Sequence, residues 1–138
     1  MSSLTTYDAL RTWLEANWPG TALRFENETA YAPDGAAPFV YLEVRGNVFG
    51  QIAIGAGAGG NLWREQGIAR FHICVPSGTG CVTARGYKSA LVEMLKGLRL
   101  APGIVCRQIA AGIGGPFERD GNYFALPVTT FWQRDETA

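Results

Sequence analysis

The chain is poor in the groups from which most protein chemistry is built. It has one histidine, His72, three cysteines and no net charge, its 12 basic residues balancing 12 acidic ones. Without a charge bias there is no overall field to draw nucleic acid, an anionic membrane or an acidic substrate. No apolar run is long enough to span a bilayer, and the opening Ser2-Ser3-Leu4 carries no basic stretch followed by an apolar core. The expectation is a chain made and folded in the cytoplasm. The cysteines, Cys74, Cys81 and Cys106, are widely spaced, odd in number and without a CxxC pair. That excludes a disulfide framework and predicts reduced, buried thiols.

Scarcity also limits catalysis. His72 shares a strand face with Cys74, whereas zinc needs about four ligands within reach and a thiol protease needs its pair to meet across a cleft. The acids are scattered: Glu26 and Glu28 flank a loop, Glu118 and Asp120 occupy a turn, and Asp135 and Glu136 sit near the end. Solvated turns account for them. Residues 55–60 satisfy GxGxxG after an apolar stretch, but a strand follows instead of a helix and no acid lies about twenty residues on. Around Gly80, Gly86 and Lys88 the spacing is wrong for a phosphate loop. No cofactor and no metal is expected, and the chain is not read as an enzyme.

What is abundant is glycine, 18 residues, and large aromatics, with four Trp, five Tyr and seven Phe. At 138 residues the chain suits one domain that buries roughly 65–70% of its unfolded surface. A helix is predicted over residues 5–18, with Tyr7, Leu10, Leu14 and Trp18 on one stripe, Thr5 and Asp8 as a capping box, and Pro19-Gly20 as the stop. A short strand near 22–25 and a turn-rich stretch over 27–38 follow. Residues 39–44 alternate, and Val40, Leu42 and Val44 form the purer core face. Residues 49–54 extend the sheet toward a mobile hairpin tip at 55–60, since that glycine tract offers almost nothing to pack. A long strand over 62–75 then begins with a half that projects as an arm.

From Ile68 to Pro76 the period is two. After Ser77-Gly78-Thr79-Gly80 it becomes 3.6, predicting a helix over 81–98 that carries Ala84, Tyr87, Leu91, Met94, Leu95 and Leu98 and is ended by Pro102-Gly103. A strand over 104–109 and a hairpin turning at residues 118–121 follow. The return strand runs from Tyr123 to about Gln133, and Pro127 within it predicts an edge or a bulge. The expected fold is α+β, a mostly antiparallel mixed sheet with two helices packed on it and no domain linker. Trp63, Phe117 and Trp132 stand where a small monomer has difficulty burying every ring. They are weighed evenly as core caps and as protein-contact anchors.

Read end to end, these features resemble the tail terminator, or tail completion, family of long-tailed phages and phage-like gene transfer agents. The similarity lies in the N-terminal helix ending at Trp18-Pro19, the loop into Pro38-Phe39-Val40, and Trp63-Arg64 with Gly67. It continues in Val75-Pro76-Ser77-Gly78-Thr79-Gly80 before a helix, and in Asp120-Gly121-Asn122-Tyr123 leading to Phe131-Trp132. The resemblance implies a structural virion protein that assembles as a ring of six at the head-proximal end of the tail tube, in the host cytoplasm. Such a ring ends tube polymerisation and offers a joint to the head connector or head-closure protein. The implied partners are the chain itself, the tube protein and that connector, without nucleic-acid specificity or a membrane. The candidate assembly interface comprises Phe49, Gly55, Gly57, Gly60, Trp63 and Arg64 along the arm, Phe117 and Arg119 at the last turn, and Trp132. Another connector or tube component is the alternative, and a small enzyme around His72 a more distant one.

Overall fold

The structure, a computed structural model, describes residues 4–28, 37–55, 60–116 and 122–137. Helix α1 spans Leu4–Asn17 and strand β1 Ala22–Phe25, followed by two long strands, β2 (Phe39–Ala53) and β3 (Leu62–Pro76). Helix α2 (Val82–Leu95) precedes β4 (Arg99–Leu100), β5 (Ile104–Ala111), β6 (Gly115–Pro116) and a third long strand, β7 (Tyr123–Thr137). The sheet runs β1-β2-β3-β7-β5-β4, with β6 also on β7. Among the described residues only β1 and β2 pair parallel. This is the α+β architecture expected from the pattern.

Both helices cover one sheet face. Leu10 and Leu14 of α1 and Ala84, Leu91 and Leu95 of α2 are buried in one cluster with Val40, Leu42, Val44, Phe71, Ile73, Val128 and Trp132. Strands β2, β3 and β7 contribute alternate residues to it, because successive side chains leave opposite faces. Trp18 meets Tyr87 edge-on at 6.0 Å, joining the two helices, and Trp13 meets Phe71 at 6.3 Å, joining α1 to the sheet. The alternation in β2 does not mean one wet face, however. Phe39, Tyr41, Cys74, Tyr123 and Ala125 form a second buried cluster on the reverse side, with Phe39 and Tyr123 5.1 Å apart.

Several boundaries differ from the sequence reading. Thr5 lies inside α1 and not at its cap. Helix α2 stops at Leu95, short of Leu98, because Gly97 takes the left-handed conformation (φ 68°) and turns the chain into β4. β7 extends to Thr137, beyond Gln133, because β3 pairs with it along its whole length. Pro127 is therefore in an interior strand, opposite His72. Its unpaired side survives locally: β5 pairing stops at Val128 and β6 pairing begins at Ala125, so the missing N–H points into the break between them. Only its carbonyl is used there, accepting from the Gly112 N–H at 3.1 Å.

Candidate assembly surface

Below the helix-covered sheet, β2, β3 and β7 continue together as a ribbon. β2 and β3 pair out to Ala53 and Leu62, and β7 follows β3 to the pair Leu62–Thr137. The projecting arm expected from the glycine-tipped hairpin is thus present with a third strand bracing it. Of the expected mobile tip, residues 56–59 lie outside the described residues. At its base Gly55 and Gly60 pack backbone to backbone, since a Cβ on Gly55 would sit 1.9 Å from the Gly60 carbonyl oxygen. The Gly55 N–H donates to Asn61 Oδ1 at 3.2 Å.

The ribbon departs from the sheet at one row, Gly46–Gly67–Trp132–Cys106, across β2, β3, β7 and β5. The two flanking strands bulge on opposite sides of this row, β2 at Asn47 on the ribbon side and β5 at Arg107 on the side of the helix-covered sheet. Paired bulges increase twist and bend the strands. Glycine is required at the bend, because a Cβ on Gly67 would fall 2.0 Å from the Arg45 carbonyl oxygen and 2.6 Å from Trp132 Cζ2. Trp132 is 2% exposed, so this candidate interface residue belongs to the core beneath the bend, not to the surface. Its size serves to fill the space that Gly67 leaves empty.

Cross-strand charge pairs tie β3 to β7 on both faces of the ribbon. On the reverse face Arg64 Nε and Nη2 donate to Asp135 Oδ1 and Oδ2 at 2.7 and 2.9 Å, a bidentate geometry that carries orientation as well as charge. That pairing, chiefly the hydrogen bond from Arg64, holds the Asp135 carboxyl below its ordinary pKa. On the helix face Arg134 donates from Nη2 and Nε to Glu65 Oε2 at 3.2 and 3.3 Å and from Nη1 to Glu136 at 2.8 Å. Glu65 and Arg134 are 3% and 7% exposed. Arg64, expected as an assembly contact, is thus paired with Asp135 within the ribbon and stays partly exposed.

The apolar residues of the ribbon are on its surface. Val48, Phe49 and Ile52 are 55%, 52% and 48% exposed, and Ile54 beyond them is more exposed still. Phe49 stacks on Trp63 with ring centroids 5.4 Å apart, the position of both being fixed by the diagonal relation of the pairs Phe49–Glu65 and Gln51–Trp63. A cleft of about 590 Å³ opens at the bend, between Asn47 and Arg107, with Ile68 and Phe131 in its wall. Phe131 is 42% exposed. Of the residues singled out from sequence, Phe49 and Trp63 lie on this ribbon, whereas Val48, Ile52 and Phe131 were not among them. The β alternation around them was visible, but nothing local told which strands would lack a covering layer. Gly57, Phe117 and Arg119 lie outside the described residues.

His72 is placed away from this surface. Its Nε2 lies 3.4 Å from Glu43 Oε2 and its ring 5.6 Å from that of Tyr41. Burial lowers its pKa, with the Glu43 hydrogen bond partly opposing. Cys74 Sγ turns to the His72 carbonyl oxygen at 3.6 Å. The Glu43 carboxylate stands between His72 and Arg45 as their shared anionic neighbour. Cys74 and Cys106 are buried as expected, whereas Cys81, at the start of α2, is exposed. No cluster of His, Cys, Asp or Glu suited to a metal occurs among the described residues, and none of their helices is long and apolar enough to cross a membrane.

No family model matches the chain, and no curated protein matches it. Among solved structures, one whose name describes no function superposes with a TM-score of 0.67 at 17% identity, over 97% of this chain and 96% of the other. At that identity the likeness concerns the fold: two helices on a curled mixed sheet, shared from end to end.

Proposed function

We propose that this protein is a structural component of a phage-like tail, a terminator that rings the head-proximal end of the tail tube. In that position it halts further tube polymerisation and provides the joint to the head connector. The observation that carries the proposal is the braced three-strand ribbon with Val48, Phe49 and Ile52 on its outside. A monomer gains nothing by exposing such a strand. A subunit that must dock against copies of itself and against a tube needs a rigid apolar element held clear of its own core. The order of motifs along the chain supports the same reading.

A ring requires two different surfaces on each subunit, one given and one received, closing by rotation. The bracing of the ribbon by β7 suits this role, because an element ordered before docking loses little entropy when it docks. The partners are further copies of the chain, the tube protein and the connector, and the place of action is the head-proximal end of the tail, assembled in the host cytoplasm. The alternative is a neighbouring part of the same machine, a head-closure or tube subunit. Electron microscopy of particles produced with and without the chain tests the proposal. Overlong or headless tails in its absence are expected; tails of normal length still fixed to heads would overturn it, and open polymers of the purified chain would favour a tube subunit.

A further inference from the structure

Each long edge of the sheet is covered for only half its length, and the uncovered halves are complementary. β1 pairs with β2 from Phe39 to Leu42, and the Glu26 carboxylate accepts from the Val44 N–H at 3.3 Å. Beyond the bulge, residues 47–53 of β2 pair with β3 alone among the described residues. On the other side, β4 covers Ile104 and Val105, and the Leu98 carbonyl accepts from the Cys106 N–H at 3.0 Å. Past the bulge at Arg107, residues 108–111 of β5 pair with β7 alone among the described residues. We propose that residues 47–53 of one subunit pair, antiparallel, with residues 107–111 of a second copy of this chain.

Direction, chemistry and geometry all favour this occupant. β2, β3, β7 and β5 alternate in direction, so β5 of a copy in the same orientation meets β2 antiparallel. The β2 stretch carries no charge, and the β5 stretch carries only Arg107, so no like charges face each other, and the small Ala110 and Ala111 leave room for Val48, Phe49 and Ile52. Bare edge N–H and C=O groups specify an extended strand as their partner. Residues directly opposite must share a sheet face. Val48 and Gly50 share the reverse face with Gln108 and Ala110, so Gly50 falls opposite Gln108 or Ala110.

The stagger then fixes a tilt. Gln108 and Ala110 lie in the rows of Ile68 and Arg70 of β3, whereas Gly50 lies in that of Arg64. With a rise of about 3.3 Å per residue and four strands at about 4.8 Å per subunit, the strands incline by roughly 35° or 45° to the axis. Closed barrels tilt their strands by about 35–45°. A tilt in that range is the one that repeated pairing needs in order to close into a continuous sheet. The inference rests on the ring proposed above and names the contact that builds it.

Disulfide trapping tests it in a Cys81→Ser background, Cys74 and Cys106 being buried. Gly50→Cys protein is mixed with Ala110→Cys or Gln108→Cys protein and oxidised, both as concentrated purified chain and in assembled tails. A Cβ on Gly50 meets nothing within 4 Å, and unchanged melting temperatures confirm folding. One of the two mixtures should give a mixed dimer at least tenfold above either variant alone, and the chain carrying both cysteines should give a ladder that ends at the ring. Absence of the mixed dimer in both settings, or an equal yield of Gly50→Cys homodimer, overturns the edge pairing. Tails that stay normal without the chain overturn the terminator function instead, whatever the cross-linking shows.

Discussion

Replacing Gly67 by alanine should damage the protein far more than one methyl group suggests. The added Cβ would lie 2.0 Å from the Arg45 carbonyl oxygen and 2.6 Å from Trp132 Cζ2. The first obstacle is backbone of β2, which cannot retreat without opening the β2–β3 ladder at the row Gly46–Gly67. The second is a 2%-exposed indole packed among Ala69, Cys106 and the rest of the core. Overpacking a tight site destabilises by roughly 1–3 kcal/mol, and a forced break in a strand ladder places this variant at the upper end, about 3 kcal/mol. For a domain of this size that corresponds to a melting temperature lower by roughly 10 °C. Gly50→Ala is the internal comparison: its Cβ meets nothing within 4 Å, so relief of backbone entropy should leave stability level or raise it by up to about 1 kcal/mol. Both are measured by urea unfolding, followed by circular dichroism and by tryptophan fluorescence. A Gly67→Ala variant within about 1 kcal/mol of the parent would refute the idea that this glycine is required for the bend.

Two further outcomes follow from the ribbon and its neighbourhood. Glu65→Ala removes the carboxylate that faces Arg134 inside the ribbon; an uncompensated buried charge typically costs about 3–5 kcal/mol, lessened here because Glu136 still accepts from Arg134, whereas Arg64→Ala at the more exposed pair should be much milder, and equal losses in chemical denaturation would contradict that ranking. His72 has its folded pKa lowered, chiefly by burial, so the unfolded chain takes up its proton first: stability should fall as the solution is acidified below about pH 6.5. His72→Asn should flatten that slope, and an unchanged dependence between pH 5 and 7 would show that another group governs it.

Much of the fold was legible in local sequence, for reasons that are themselves local. Period-two alternation from Ile68 to Val75 and the stripe Leu10, Leu14, Trp18 report which side of an element is apolar, and the core contains those residues. The switch at residues 77–80 marked the start of α2, since glycines with positive φ at Gly78 and Gly80 form that turn. The candidate surface was legible only in part. Phe49 and Trp63 were visible as aromatics beside a glycine tract, yet the same reasoning placed Trp132 on the surface when the bend buries it. Arg64 read as a contact residue because its partner, Asp135, is 71 positions away.

The sequence by itself determined the two helices, the long strands and the core-facing side of each, because those are read from local periodicity. It could not determine which strands lie side by side, because pairing is a relation between distant segments fixed by the closing of loops and the shared burial of their apolar faces. Only the tertiary structure decided that β7 runs between β3 and β5, bracing the ribbon and placing Pro127 in the sheet interior. It also decided that β1 and β4 each cover half of an edge and leave the other half bare.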